Sequence, residues 1–490
     1  MSPFGRASLS QQHLTKSLYI KNTKFIYSIV IALKGDRMQA RNWIVLALFA
    51  IVAILAVYWA VNLSAPPEAP TTPKPLEYGG KIYLGYTGPL SGLAAPYGES
   101  ALNGIKFAIE DINKAGGIVI GDKRYELDVI AMDDKYYPPL SAANAVNISK
   151  NGTPVIFCPH SGGILELQKI NEKGENKFIV AAYTSSPIVL KTGNKMTLLI
   201  PPNFEILHIP TMADYFLLKG MKKAALLPGT HEYAKEWAKA FKEYWTRKGG
   251  EIVAEEPINY YTATNYTANV SKVLAAKPEV IMIAGPSLPL AGVIKTARAL
   301  GYTGGFIVAD QAKLDEIMYY LGIEYDFANK KVLKGDISLV DKSIGTTSPC
   351  ILAVLPEASV DPYTPFYKYM CERLPQRLGN IPLNWEHVLN YETTMLIAKA
   401  IEKAGSTDPE KIMEAMEKKV FPADGYRGVP KYLHGALLRV APYGTIGVLD
   451  MPSSDIVFDN GELIVILGIT PKFWGQEYTY TDSEGKVVWG

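Results

Sequence analysis

The sequence predicts an α/β protein with two doubly wound, parallel-sheet lobes behind an N-terminal transmembrane anchor. Short apolar runs typical of buried strands alternate with segments of helical periodicity from about residue 81 onward. About ten such strand-and-helix units are too many for one compact sheet, so we expect two lobes. The anchor is predicted by nineteen consecutive uncharged residues, Trp43 to Val61.

The composition is that of a globular protein. The 490 residues carry a formal net charge of +2, with 20% charged and 48% hydrophobic residues. This balance gives no reason to expect a nucleic acid as partner. The three cysteines are too few for a disulfide framework, although Cys350 and Cys371 could pair outside a cell. The histidines show no metal-ligand spacing, so we expect no metal and no cofactor.

The uncharged stretch 43–61 nearly crosses a hydrocarbon layer of ~30 Å at ~1.5 Å per residue. Lys34, Arg37 and Arg41 precede it, so the positive-inside rule puts the chain after residue 61 outside the cell. We therefore expect a single-pass anchor in the cell membrane and an extracellular C-terminal domain. Residues 1–42 are expected to be a cytoplasmic or non-native extension.

A cleaved signal peptide is the alternative to an anchor. Its apolar region is usually ~7–15 residues long and ends in a small-x-small site. Here the run is longer, and the following Leu63 to Pro66 make a poor cleavage site. Residues 62–80 contain five prolines, which favour an extended, semi-rigid linker between the membrane and the remaining chain.

The strands and helices of the body are predicted from apolar runs and helical spacing. The predicted strands are 82–86, 127–132, 155–158, 178–182, 224–227, 252–254, 280–284 and 306–309. The predicted helices are 102–112, 140–149, 164–168, 231–248, 266–276, 288–300, 385–404 and 408–419. We assign 81–202 to the first part of lobe 1, 203–332 to the first part of lobe 2, 333–435 to the return into lobe 1, and 436–490 to C-terminal strands and a tail.

Polar residues follow several predicted strands at the points where the strands end. Ser161, Gly162 and Gly163 come after the third strand, Thr184 after the fourth, and Asp310 after the last. Ligands of open parallel sheets bind beyond the carboxyl ends of the strands. We therefore expect these residues to converge on one cleft.

The residue types at these strand ends suit a small zwitterion. Backbone N–H groups around Ser161 and Gly162, at the positive end of a helix, favour a carboxylate, and the hydroxyls of Ser161 and Thr184 can add hydrogen bonds. Asp310 could receive an ammonium group. The alternative is that Ser161 and Asp310 merely cap their own helices.

Several ordered motifs resemble the extracellular leucine/isoleucine/valine-binding proteins of ABC importers. They are Gly85-Tyr-Thr-Gly-Pro-Leu-Ser-Gly92, Ile112-Asn-Lys-Ala-Gly-Gly117, Met132-Asp-Asp134, Ala182-Tyr-Thr-Ser-Ser-Pro187, Asn390-Tyr-Glu392 and Phe458-Asp-Asn-Gly461. The resemblance covers about 81–470. It implies a type I periplasmic-binding-protein fold, with two lobes joined by three crossing strands and closing by a hinge.

The resemblance also implies roles for individual residues. Ser161 and Thr184 would hold the ligand's carboxylate, helped by the backbone at Gly162 and Ala182, and Asp310 would receive its α-ammonium. Four more residues are candidates for covering the ligand or lining its side-chain pocket: Tyr97, Tyr183, Tyr233 and Ser287. The implied ligand is a small amino acid, of branched-chain type, and the implied partners are an ABC permease and its ATPase.

Three alternatives remain open at this point. The motif Pro159-His-Ser-Gly-Gly163 is faintly similar to the nucleophile elbow of serine hydrolases, but a proline replaces its first glycine. An extracellular sensor could use the same lobes. Finally, some relatives of the family bind amides or urea, although an acid at position 310 favours an amine-bearing ligand. We expect a binding protein rather than an enzyme.

Overall fold

A computed structural model describes residues 51–53, 76–189, 191–201, 204–205, 208–355, 364–379, 381–417, 437–440, 446–449, 454–467, 480–481 and 487–489. The chain divides into two compact units, Met1–Pro75 and Leu76–Gly490. In the first unit only residues 51–53 are described, and they are helical. The rest of the predicted anchor and the linker up to residue 75 lie outside the described residues. Among the helices of the described part, none has the length and apolarity needed to span a bilayer.

The strands of the second unit, in chain order, are β1 (Glu77–Gly88), β2 (Ile118–Ile120), β3 (Lys123–Asp133), β4 (Val155–Cys158), β5 (Ile179–Ala182), β6 (Thr197–Leu199), β7 (Lys223–Pro228), β8 (Glu251–Glu255), β9 (Val280–Ala284), β10 (Gly305–Val308), β11 (Glu324–Asp326), β12 (Lys331–Lys334), β13 (Ser343–Thr346), β14 (Leu437–Val440), β15 (Ile446–Leu449), β16 (Ser454–Asp459), β17 (Glu462–Leu467), β18 (Tyr480–Thr481) and β19 (Val487–Trp489). Each of the eight predicted strands overlaps one of them. The short strands β2, β6, β11, β12 and β13 were not predicted.

The helices are α1 (Ala95–Lys114), α2 (Pro138–Ser149), α3 (Ser161–Gln168), α4 (His208–Leu218), α5 (Glu232–Arg247), α6 (Thr267–Ala275), α7 (Ser287–Ala299), α8 (Leu314–Tyr320), α9 (Pro349–Val354), α10 (Thr364–Arg373), α11 (Pro375–Leu378), α12 (Trp385–Ala404) and α13 (Pro409–Glu417). The eight predicted helices overlap α1, α2, α3, α5, α6, α7, α12 and α13.

The strands form two large sheets, which confirms the prediction of two α/β lobes. The first sheet has the order β14-β15-β6-β5-β4-β1-β3-β2, and the second has the order β17-β16-β13-β10-β9-β7-β8. The central strands of both sheets are parallel. Parallel strands covered by helices on both faces bury nearly every side chain, which is why Val155–Cys158 and Val280–Ala284 read as continuous apolar runs.

Within the described ranges the chain passes between the two sheets three times. It leaves the first sheet after β6, returns after β13 to place α12 against α1, and leaves again after β15 for the β16–β17 hairpin. That hairpin turns at Asn460 and Gly461, whose φ angles of 51° and 79° are those of the tight turns that match strand twist.

Helix α12 lies very close to α1 in lobe 1. A Cβ atom at Gly104 would lie 2.2 Å from the carbonyl oxygen of His387, so the contact depends on the glycine. Arg377 adds ion pairs from α11 to Glu110 and Asp111 on α1. A disulfide joins Cys350 of α9 to Cys371 of α10, which resolves the pairing that the sequence left open.

Candidate functional site

The carboxyl ends of β4 and β5 in lobe 1 face the residues that follow β7 and β10 in lobe 2. Between them is a small cavity of about 30 Å³. Its lining is predominantly polar or aromatic: Tyr97, Tyr136, Pro159, His160, Ser161, Tyr183, Thr184, Ser185, Pro201, Tyr233, Asp310, Gln311 and Glu386. We call this space the inner cavity. Six of the nine predicted site residues line it: Tyr97, Ser161, Tyr183, Thr184, Tyr233 and Asp310.

Ser161 and Thr184 form one wall of the inner cavity. Ser161 is the first residue of α3, and its Oγ lies 2.7 Å from Oγ1 of Thr184. Both side chains are buried. Thr184 also accepts a hydrogen bond of 3.2 Å from the amide of Ser186, which fixes its hydroxyl. Among the described residues, the amide group of Ser161 has no acceptor, so this wall presents a donor at a helix N-terminus.

His160 caps the N-terminus of α3, a role that was not predicted from the sequence. Its Nδ1 accepts a hydrogen bond of 3.0 Å from the amide of Gly163, so its Nε2 carries the proton and donates to Asp134 at 2.9 Å. Burial acts to raise the pKa of Asp134, but the neighbouring His160 and hydrogen bonds from Ser141 and the backbone lower it overall. Histidine is not a favoured cap, which is why no sequence pattern indicated this network.

Asp310 follows β10 and is held by donors from both lobes. Ser185 of lobe 1 donates to its Oδ2 at 2.6 Å. Tyr233 and Trp237 of lobe 2 donate to its Oδ1 at 2.5 Å and 3.0 Å. Its side chain is only 11% exposed. Among the described residues, the side chain of Asp310 caps no helix and instead accepts hydrogen bonds from both lobes.

His208, at the start of α4, connects this network to the crossing segments. Its Nε2 lies 3.8 Å from Oδ2 of Asp310, and its Nδ1 lies 3.1 Å from Oδ1 of Asp455 on β16. Burial alone would lower the pKa of His208, but the charges of Asp310 and Asp455 raise it above its ordinary value. The imidazolium is thus favoured beside the carboxyl groups of Asp310 and Asp455.

A group of rings separates the inner cavity from a larger space. The ring of Tyr136 stacks on His160 at 4.4 Å and on Tyr261 of lobe 2 at 4.2 Å, centroid to centroid. Gln311 joins the group, donating to Tyr136 at 3.3 Å and contacting His231 at 3.1 Å. Tyr136 has φ of 59°, in the left-handed region that is unusual for a bulky side chain. Beyond these rings lies an outer chamber of about 930 Å³ between the lobes.

On the other side, the inner cavity meets a buried ion pair between Lys313 of lobe 2 and Glu386 of α12. Each side chain is only 2% exposed. Tyr183 donates to the same oxygen of Glu386, Oε1, at 3.2 Å. Burial raises the pKa of Glu386, and Lys313 opposes that shift. Seventy-three positions separate the two residues, and nothing local in the sequence indicated that they meet.

Three of the predicted site residues lie elsewhere. Gly162 lines the outer chamber. Ala182 is fully buried at the end of β5, where its carbonyl accepts from Ile200. Ser287 lines a rear cavity of about 40 Å³ and donates to Glu316 at 2.5 Å.

The geometry can be compared with known proteins. The sequence profile described as periplasmic binding protein matches residues 81–434, which is well over half of the chain. The chain belongs to the periplasmic binding protein family.

Relatives within this family differ widely in sequence. A leucine-, isoleucine-, valine-, threonine- and alanine-binding protein of Pseudomonas aeruginosa is 23% identical over 346 residues, 69% of this chain and 83% of that protein. A leucine-binding protein of Thermotoga maritima matches with a TM-score of 0.59 at 21% identity, covering 80% of this chain and 99% of that one. An isoleucine-bound branched-chain amino acid binding protein of Streptococcus pneumoniae matches with a TM-score of 0.58 at 18% identity, covering 80% and 100%. These structural likenesses establish the fold.

Two features of this periplasmic binding protein could suggest other chemistry: a serine nucleophile and a metal site. Local hydrogen bonds account for both. The hydroxyl of Ser161 is hydrogen-bonded to Thr184, while the adjacent His160 is occupied by Asp134 and Gly163, so the described contacts do not form a nucleophile–base pair. Donor atoms of Asp134, Cys158 and His160 lie within 4.8 Å of one another. The hydrogen bonds of the helix cap account for the positions of Asp134 and His160.

Proposed function

We propose that this protein captures a small amino acid outside the cell and delivers it to an ABC permease. The ligand would occupy the inner cavity, enlarged by a small separation of the lobes, and the lobes would close around it. The observation that carries the proposal is the position of Asp310. This carboxylate lines the same small cavity as Ser161 and Thr184, and it hydrogen-bonds to both lobes.

The carboxylate end of the ligand would meet the wall formed by Ser161 and Thr184. Two hydroxyl groups and the amide of Ser161 at the start of α3 supply hydrogen-bond donors and a positive helix end. Charge-assisted hydrogen bonds of this kind are shorter and stronger than neutral ones.

The ammonium end of the ligand would meet Asp310. In this structure the carboxylate already accepts from Ser185, Tyr233 and Trp237. A carboxylate has about four lone-pair sites, so an ammonium group can bind beside these donors or replace Ser185. Either exchange would couple ligand binding to the contact between the lobes.

Delivery to a transporter follows from the family rather than from the cleft. The name of the Pseudomonas aeruginosa relative suggests leucine, isoleucine, valine, threonine and alanine as candidate ligands for this protein. We propose that an anchor at 43–61 tethers the lobes to the outer face of the cell membrane. A permease and its ATPase would then be the partners, and the lobes would perform no covalent chemistry.

A thermal-shift screen tests the proposal. The full-length chain in detergent micelles would be heated with each of the twenty amino acids, with amides, and with urea. Ligand at a hundred times its dissociation constant should stabilise the protein by ~2.7 kcal/mol. The stabilisation should be lost in Ser161→Ala and Asp310→Asn, and kept in Thr246→Ala, which removes an exposed hydroxyl on α5. Stabilisation by amides or urea alone would indicate a ligand other than an amino acid. If no compound raised the melting temperature, the proposal would be contradicted.

A further inference from the structure

The inner cavity is lined by few aliphatic side chains. Thirteen residues line it, and the only two without a polar side-chain atom are Pro159 and Pro201. Four of the other eleven are tyrosines, which contribute aromatic carbon as well as hydroxyl groups, and the rest carry hydroxyl, carboxylate, amide or imidazole groups. A site for a leucine-like side chain would normally include aliphatic residues as well, and in this lining only the two prolines are of that kind.

Glu386 also lines this cavity, although it lies more than two hundred positions after Ser161 and Thr184 in the sequence. It lines the inner cavity and also the rear cavity, so it separates the two. Its residue is 1% exposed. Glu386 is therefore a buried carboxyl group in the wall of the inner cavity, and the hydrogen bonds of its two oxygens can be examined separately.

The two oxygens of Glu386 are not equivalent. Both donors to the side chain, Lys313 Nζ and Tyr183 Oη, bind to Oε1. The other oxygen, Oε2, is buried, and no described residue donates a hydrogen bond to it. A buried carboxylate oxygen without a donor is costly, so a ligand that brings a donor to Oε2 would gain binding free energy there.

Only certain groups on a ligand could donate a hydrogen bond to Oε2 of Glu386. In the ion pair, Lys313 Nζ contacts Oε1, and the carboxylate's other oxygen, Oε2, is then an acceptor only. An aliphatic group there would leave the oxygen unpaired, and a second carboxylate would be repelled. A hydroxyl or carboxamide N–H on the ligand would satisfy it.

We propose that Glu386 selects amino acids whose side chain carries a hydrogen-bond donor, so that threonine binds more tightly than valine and asparagine more tightly than leucine. The proposal rests on the proposed function, because it assigns the ligand's third point of attachment after its carboxylate and ammonium groups. Each pair shares one branched skeleton and differs mainly in polarity, which makes the comparison nearly isosteric.

Isothermal titration of the full-length chain with these four amino acids tests the proposal. We expect threonine to bind at least tenfold more tightly than valine, and asparagine at least tenfold more tightly than leucine. Aspartate, which has the shape of asparagine without the donor, should bind more weakly than asparagine by at least the same factor.

A variant links this preference to the ion pair. Removing one partner alone would leave a buried unpaired charge, so both are replaced, as Lys313→Met with Glu386→Met. The double variant should still bind, but the preference for threonine over valine should vanish or reverse. Its thermal unfolding, compared with that of the wild type, checks that it folds.

The outcomes separate this inference from the proposed function. Valine and leucine binding as tightly as their polar partners in the wild type would overturn the role of Glu386 and leave the amino-acid binding function standing. A preference for threonine that survives in the folded double variant would also overturn it. Absence of binding by any amino acid would reject both.

Discussion

Ser185 of lobe 1 donates a hydrogen bond of 2.6 Å to Oδ2 of Asp310 in lobe 2. This bond joins the two lobes at the carboxylate that we propose as the ammonium partner. The contact between the lobes and the proposed binding chemistry therefore share one carboxylate. Any change in the electrostatics of Asp310 should alter how tightly the lobes close.

The variant Ser185→Ala should weaken closure. Hydrogen bonds to charged groups contribute ~1.5–3 kcal/mol, so the ratio of closed to open molecules should fall by about tenfold or more. Small-angle scattering should show a larger radius of gyration than for the wild type. Ser338→Ala is the matched control, because it removes a hydrogen bond of 2.6 Å from a serine to Asp336 within one lobe. Equal dimensions in all three proteins would contradict the proposed link.

His208 predicts a specific dependence of stability on pH. Its pKa is raised by Asp310 and Asp455 above the ordinary value of 6.5, although burial opposes the shift. A group with a raised folded-state pKa contributes stability below its unfolded pKa and loses it as the pH rises through the folded pKa. The free energy of unfolding should thus decline above pH 6.5, and His208→Gln should remove that part of the slope.

The control for His208 is another buried histidine. Burial lowers the pKa of His231 to about 3, so it stays neutral above pH 6.5. Urea unfolding of His231→Gln should retain the wild-type slope in that range. A slope in His208→Gln that matches the wild type would exclude an imidazolium at position 208.

Gly104 should be essential to the contact of α1 with α12. In Gly104→Ala the new methyl group would lie 2.2 Å from the carbonyl oxygen of His387. Overpacking costs ~1–3 kcal/mol and can exceed the ~1 kcal/mol gained from better helix propensity. We expect a net loss of up to ~2 kcal/mol in the free energy of unfolding, measured in urea. Lys106→Ala, on the exposed face of the same helix, should be neutral or slightly stabilising, and an equal effect in both variants would count against the close approach.

The disulfide between Cys350 and Cys371 should stabilise the folded chain. Closing a loop of this size contributes about 3 kcal/mol by restricting the unfolded chain. The double variant Cys350→Ser with Cys371→Ser should lose about that much, and a reductant should have no further effect on it. Alkylation of the denatured, unreduced wild type should modify Cys158 alone, and three modified thiols would show that the bond does not form.

The sequence predicted those parts of the site that are local in the chain. A buried strand followed by Ser161, two glycines and a helix is a short pattern, and parallel pairing aligns it with Thr184. In the second lobe, β10 pairs in parallel with β9 and ends just before Asp310, so the position of Asp310 was predicted in the same way. These placements depend only on alternation of strands and helices, which apolar spacing reports directly.

Contacts between distant segments could not be predicted in this way. The pair of Lys313 with Glu386 joins lobe 2 to a helix of lobe 1. The two residues meet because the chain crosses between the lobes after β13, and no local sequence pattern indicates where such a crossing occurs. Short strands such as β6 and β13 have three or four residues, too few to establish a periodicity. The role of His160 was missed because a histidine cap depends on a tautomer fixed by Asp134.

The central claim is that an amino acid bridges the two lobes between Ser161, Thr184 and Asp310. A crystal structure of the protein with its tightest-binding amino acid tests this claim most directly. We predict the ligand's carboxylate within ~3 Å of the hydroxyls of Ser161 and Thr184, and its ammonium nitrogen within ~3 Å of a carboxylate oxygen of Asp310. A ligand seated in the outer chamber, or one whose ammonium group has no contact with Asp310, would contradict the account.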